Sequence, residues 1–201
     1  MEIKVDDIVY ELSNIGSAHA ANSLSKMLGT RVNITVPEVT LESIDDIPTR
    51  IGIEKLEKIN VVTRFYYHEF DHKEDRGIIL VLMDEDNGNL LSEQLMGMKI
   101  EDFQNMDDDT KSLFSEVGNI MVGAYISSIS NFLQNKINMS IPEVAVDYLG
   151  SLIDSTIAEI SQLTSYIFFI KNKLMMSNNE VEISIIVFFD ESLIKAIKDI
   201  Y

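Results

Sequence analysis

The chain contains no cysteine, which excludes disulfides, thiolate nucleophiles and cysteine-held metals. It has no apolar run near the ~18 residues that a membrane-spanning helix needs. Basic residues are scarce: 16 Lys and Arg stand against 33 Asp and Glu, for a formal net charge of −17 and a pI near 4.4. Nucleic acid and anionic membrane surfaces need clustered Lys and Arg, so neither is an expected partner. The first residues, MEIKVDDIVYELSN, lack the basic region, apolar run and small-residue cleavage site of a secretory signal. A cytoplasmic protein is therefore expected. What the chain does have is apolar content: 46% of its 201 residues are hydrophobic, enough for one sizeable core or two closely packed halves.

The sequence also repeats itself. At an offset of 105, YELSNIG (10–16) falls on SEVGNIM (115–121), and RVNITVPEV (31–39) falls on KINMSIPEV (136–144). Further on, IILVLMDE (78–85) falls on SIIVFFDE (184–191) at an offset of 106, as one insertion would produce. No linker rich in Pro, Gly or Ser separates the halves. The reading is a single domain over 1–201, built from repeats of about 1–100 and 106–201 and folded with a pseudo-twofold.

Each half predicts the same elements. Helical apolar spacing covers about 4–29 (Ile8, Leu12, Ile15) and 109–135 (Leu113, Val117, Ile120). The acidic DDDT (107–110) suits a helix start, and Gly29 suits a helix end. An extended piece ending at Pro37 or Pro142 follows, because the residue before proline avoids helix. A second helix is expected over about 143–162, with a shorter and less regular counterpart over 41–58. Two β-rich runs close each half, at 60–70 and 76–85 and again at 164–176 and 180–191. EDRG and SNNE are compatible with their hairpin turns. A short helix over about 89–97 follows the turn DNGN. The fold class is α/β: two layers, with long helices packed on a largely antiparallel, about six-stranded sheet.

Within the repeat, one pattern recurs at identical spacing. Asp7, Glu11, Asn14 and Pro37 match Ser112, Glu116, Asn119 and Pro142. On a helix, Asp7, Glu11 and Asn14 fall at about 0, 40 and 340 degrees, a narrow polar stripe beside the row Ile8, Leu12 and Ile15. Capping does not explain it, because Glu and Asn lie well inside each helix, where Asn is a mediocre helix former. One such stripe alone is ordinary solvated surface. Two copies in register, among surface neighbours that differ, point to use. An ionised Glu can hold a lysine ammonium, and Asn, both donor and acceptor, can orient a water. No His, Cys or Lys recurs beside them. The set suits hydrolysis of an already activated bond, where placing a water is most of the task, and offers no nucleophile–base pair for peptide or ester cleavage.

At these residues the chain closely resembles the CheC/CheX/FliY phosphatase family of bacterial chemotaxis. The motif [Asp or Ser]-x3-Glu-x2-Asn-x22-Pro occurs twice, and the resemblance spans essentially the whole chain. Two motifs in this compact length look most like the CheC branch. CheX typically carries one functional motif per subunit and dimerises, and FliY adds a flagellar switch domain and a CheY-binding segment. The resemblance implies a phosphatase acting on the phosphorylated response regulator CheY. Glu11 and Glu116 would each hold the active-site lysine of that partner, and Asn14 and Asn119 would each place the attacking water. Asp7 and Ser112 would support the site from its edge, and Pro37 and Pro142 would shape the turn after each long helix. The Mg²⁺ would belong to CheY, so no cofactor of its own is implied. The receptor deamidase CheD is a further implied partner, and a chain working mainly as its regulated binding partner is the rival reading. The stretch AVDYLGSLIDSTIAEI, with Gly150, Ser151 and Ala158, is a docking surface for it or simply a cover for the sheet. Because one chain supplies both halves, a monomer is expected.

Two other features carry less. His68 and His72 have a spacing that could hold a metal on a helix, but they lie in a β-rich run near a turn. DEDNG (84–88) resembles a calcium loop, yet its Gly comes one position early and no Glu follows where one is required, so it reads as a turn at a strand end.

Overall fold

The computed structural model of the chain describes residues 5–69, 76–161, 164–176 and 179–188, together with Lys195 and Ile197. Its elements are α1 (Val5–Leu28), β1 (Val32–Ser43), α2 (Ile47–Ile51), α3 (Ile53–Leu56), β2 (Ile59–Glu69), β3 (Arg76–Asp84) and α4 (Glu85–Met96), then α5 (Asp108–Leu133), β4 (Ile137–Met139), β5 (Glu143–Tyr148), α6 (Leu149–Ile160), β6 (Tyr166–Met176) and β7 (Asn179–Phe188). Local chemistry sets the long helices. Asp107 caps α5 by accepting from the Thr110 N–H at 2.8 Å, and that bonding holds its carboxyl below the usual range. Gly29 follows α1 with φ +61°, and Gln134, its counterpart in the repeat, ends α5 with φ +51°.

Seven strands form one sheet in the order β1-β6-β7-β3-β2-β4, with β5 also pairing β2, and every pairing is antiparallel. Exchanging the halves leaves this order unchanged. At the centre, Leu80 pairs with Ile186, its own counterpart, and Ile78, Ile79, Val81 and Leu82 pair symmetrically about it. The pseudo-dyad therefore passes between Leu80 and Ile186, normal to the sheet. It places α1 and α5 on the same face, running antiparallel.

Strand alternation gives each face its own core. Ile79, Val81, Met83, Ile170 and Ile185 join Leu12, Leu24, Val117 and Met121 under the two long helices. Val62, Ile78, Leu80, Leu82, Ile186 and Phe188 join Ile47 and Ile153 under α2 and α6. Helices thus cover the second face as well as the first. The cover there is uneven: Pro48 opens α2 and Gly52, at φ +100°, separates it from α3, whereas α6 runs unbroken for 12 residues.

Several expectations change. The second helix of the C-terminal half begins at Leu149, not near 143, because Glu143–Tyr148 is a strand paired with β2. Its counterpart over 41–58 is likewise strand up to Ser43, followed by a short 3-10 turn and α2 and α3. The extended piece of the first half does not end at Pro37. β1 continues through it, with a register shift between Thr35 and Glu38. Pro142 sits between β4 and β5, so the same interruption divides the other strand and raises the count to seven. Pro37 lies on the edge strand β1 and Pro142 between the two edge segments β4 and β5, where a missing N–H removes no ladder bond from the interior. DEDNG is a helix start: Asp84 accepts from the Asn87 N–H at 2.9 Å and α4 begins at Glu85. EDRG and SNNE fall partly outside the described residues, as does His72, and the His68 side chain is outside them too.

The long helices meet closely. A Cβ on Gly16 would stand 3.0 Å from the Tyr125 Cα, whereas one on Gly123 would have nothing nearer than the Met139 Cε at 3.8 Å. The Tyr125 hydroxyl donates to Asn172 Oδ1 on β6, and burial pushes that phenol well above its ordinary pKa. Three outcomes are expected in chemical denaturation. Gly16→Val costs about 1–3 kcal/mol by forcing the helices apart. Gly123→Ala is neutral or stabilises by up to about 1 kcal/mol, because it removes a helical glycine without a clash. Tyr125→Phe costs about 1–3 kcal/mol by leaving the fully buried Asn172 oxygen unpaired.

Candidate functional site

The recurrent polar residues all lie on α1 and α5, on the sides turned from the sheet. Val5, Ile8, Val9, Leu12 and Ser13 are buried on α1 over about 140 degrees of its circumference, which leaves an outward arc of about 220 degrees. In order around that arc stand Tyr10, Asn14, Asp7, Glu11 and Ile15. Asp7 and Glu11 are exposed and Asn14 is half-buried. On α5, Phe114, Val117, Gly118, Met121 and Val122 are buried, while Ser112, Glu116 and Asn119 are exposed. Among the described residues, no hydrogen bond or ion pair engages the side chains of Glu11, Asn14, Glu116 or Asn119. The Asn14 carbonyl accepts from Ser17 Oγ at 2.8 Å, so only its backbone is occupied locally.

Each Glu–Asn pair is therefore brought together, one helical turn apart, and aimed outward. The two pairs are not brought to each other. Gly16 lies level with Tyr125 on antiparallel helices, so Glu11 lies level with the end of α5 around residue 130. Glu116 stands roughly 20 Å away along the axis, at 1.5 Å per residue. The arrangement is two separate sites at opposite ends of the helix pair. Between them runs a groove lined by Leu12, Ile15, His19, Ile120, Gly123 and Phe132.

The prolines of the motif are structural. Pro142 is half-buried at the break between β4 and β5, where Ser140 holds the edge to β2 by its N–H on the Tyr66 carbonyl (2.8 Å) and its Oγ under the Tyr66 N–H (3.0 Å). Pro37 lies at the matching place in β1. Neither forms the turn that follows its helix. Among the described residues, no group of three or more His, Asp or Glu is placed to hold a metal, and no helix is long and apolar enough to cross a membrane.

Helical periodicity misplaces one residue and overlooks another. Ile15 continues the spacing of Ile8 and Leu12, yet it is 50% exposed, because the helix turns it past the edge of the buried arc. Tyr10 is 39% exposed on the far side of the polar stripe. Its position four residues before Asn14 is a signal that the sequence contained, since that spacing places the two side by side.

The profile of the CheC-like family matches residues 5–41 and 111–146, each a long helix with the extended segment after it. The chain is 24% identical over 179 residues to the "CheY-P phosphatase CheC" of Bacillus subtilis (strain 168), covering 88% of this chain and 83% of that protein. It is 23% identical over 144 residues to the "Putative CheY-P phosphatase CheC1" of Halobacterium salinarum, covering 72% and 70%. Its fold is that of Thermotoga maritima FliY, with a TM-score of 0.73 at 20% identity over 99% of this chain and 97% of that one. The matched segments are the two copies of the repeat, and they carry both Glu–Asn pairs in register. The chain is thus similar to the CheC-like family over both copies of its repeat.

Proposed function

We propose that the protein is a cytoplasmic phosphatase acting on the aspartyl phosphate of the response regulator CheY, working as a monomer with two sites. The observation that carries this reading is the pair of outward-facing, unengaged Glu–Asn sets, held in register on two helices, in a chain whose relatives are named CheY-P phosphatases. Glu11 or Glu116 holds a lysine of the partner's active site. Asn14 or Asn119 fixes a water in line with the phosphorus. The water oxygen bonds to phosphorus as the bond to the aspartyl oxygen breaks, releasing inorganic phosphate and the free carboxylate. An acyl phosphate is already activated, so no nucleophile from this chain is required and positioning supplies the acceleration. The magnesium ion of the reaction is the partner's, and Asp7 and Ser112 support the edge of each site. In the rival reading, CheD docks on α6. Leu152, Ile153, Thr156 and Ile160 turn inward to the sheet, and Gly150 packs against the Leu56 carbonyl. Only a polar outer side with Ser151 and Ala158 is left for such a partner.

Asn14→Ala or Asn119→Ala alone leaves phosphate release from phosphorylated CheY measurable. The double variant loses on the order of 10²–10³ in rate, the usual effect of removing a group that positions or stabilises at the reacting centre. Full activity in the double variant sinks the mechanism. The same substitutions leave unfolding free energy within about 0.5 kcal/mol of the parent, because these side chains hold nothing in the fold. A larger loss assigns the pairs a structural role instead.

A further inference from the structure

The repeat gives the two sites the same Glu–Asn pair and different residues beside it: Asp7 answers to Ser112, and the flanking residues differ as well. Around α1 the stripe of Asn14, Asp7 and Glu11 is bracketed by Tyr10 on one side and Ile15 on the other, 39% and 50% exposed. Around α5 the corresponding bracket is Ser115 and Ile120, both half-buried. Tyr10 makes no hydrogen bond among the described residues and packs into neither core cluster. Tyr10 thus keeps more than a third of its surface open to solvent beside the polar pair, outside both core clusters. Exposed Tyr and Ile flanking a few polar groups match the composition of an interface centre, where aromatic anchors carry most of the affinity and exclude water from the polar contacts between them.

We infer that the two sites are unequal, and that the N-terminal one docks the phosphorylated response regulator more tightly because Tyr10 and Ile15 close over both sides of the Glu11–Asn14 pair. This rests on the function proposed above. The occupant is fixed by continuity: any protein that delivers an aspartyl phosphate to Asn14 and a lysine to Glu11 must cover the arc from Tyr10 to Ile15, because the polar residues lie between them. The C-terminal site presents the same Glu–Asn pair with Ser112 in place of Asp7 and the Ser115 hydroxyl in place of the ring, so it acts on the same partner at higher concentration. Tyr10 is an affinity residue and not a catalytic one. Its effect falls on KM and leaves kcat in place, since a contact present before and during the chemical step lowers both states together.

The test uses single-site proteins. Asn119→Ala leaves the N-terminal site and Asn14→Ala leaves the C-terminal one. The expected KM for phosphorylated CheY is roughly tenfold lower in the first, the size of effect that one buried aromatic anchor gives. Tyr10→Ser added to Asn119→Ala raises KM by a similar factor at unchanged kcat, and Ser115→Tyr added to Asn14→Ala lowers it. Equal KM values in the two single-site proteins overturn the inference, as does a Tyr10→Ser variant whose KM does not move. Binding of CheY carrying beryllofluoride in place of the phosphoryl group, titrated against the intact protein and its Tyr10→Ser form, separates docking from chemistry. Weaker binding by Tyr10→Ser upholds the docking inference even where both single-site proteins are inactive, an outcome that sinks only the water-positioning mechanism. Unchanged binding sinks the docking inference whatever the activities.

Discussion

The pairing of β3 with β7 is the constraint on which the rest of the structure depends. These strands are each other's counterparts, and the Leu80–Ile186 pair lies on the dyad that relates the halves. Both side chains are fully buried in the core under α2 and α6. Because antiparallel neighbours are related by an axis normal to the sheet, this one pairing forces both long helices onto the same face and makes them antiparallel. Neither half can bury its strands alone, since β1 of the first half completes the edge beside β6 of the second, and β5 of the second completes the edge beside β2 of the first. The duplicated unit is thus interleaved, and the sites inherit their spacing from that interleaving.

The same geometry keeps the candidate site residues on the outer sides of the helices. A helix lying on a sheet can bury only part of its circumference, and α1 commits Ile8, Val9 and Leu12 to the core while close approach at Gly16 brings in α5. The outward arc is then free of structural duty. Asn within a helix is unfavourable relative to better helix formers by a few tenths of a kcal/mol. Two long helices anchored on a shared core tolerate that cost easily, so Asn at positions 14 and 119 is compatible with the fold.

The sequence was legible where the determining interactions were local or repeated. The long helices, the four inner strands and both Glu–Asn pairs follow from periodicity and self-similarity, and Asp107 and Gly29 mark helix ends by chemistry that acts within a few residues. The sheet edges were not legible. VAVDY carries apolar residues whose spacing runs on into LGSLIDSTI, so the whole stretch reads as one helix. Only its pairing with β2, more than 80 residues earlier, makes the first part a strand. Pro37 reads as the end of an extended piece, but an edge strand tolerates proline, and β1 continues through it with a register shift between Thr35 and Glu38. The exposure of Ile15 was illegible for a related reason: period alone gives the angle of a side chain and not where the buried arc stops.

Charge completes the picture of the site face. Five of the 16 cations of this acidic chain form ion pairs away from the long helices. Arg50 pairs with Glu38 and Glu42 and stacks 5.4 Å over the Phe169 ring; Lys55 and Lys171 share Glu182; Lys173 pairs with Glu180 and Arg64 with Glu159. All of these lie on the sheet, α2, α3 or α6. By contrast, α1 sets Lys26 alone against Asp6, Asp7 and Glu11, and α5 sets Lys111 alone against Asp108, Asp109 and Glu116. The helix face is acidic, and among the described residues no ion pair engages Asp7, Glu11 or Glu116. An acidic face repels an approaching phosphoryl group unless the partner brings compensating positive charge close to it. Under the proposed function, a partner that brings a lysine and a bound cation with its phosphate is favoured at Glu11 or Glu116 over a bare phosphoprotein.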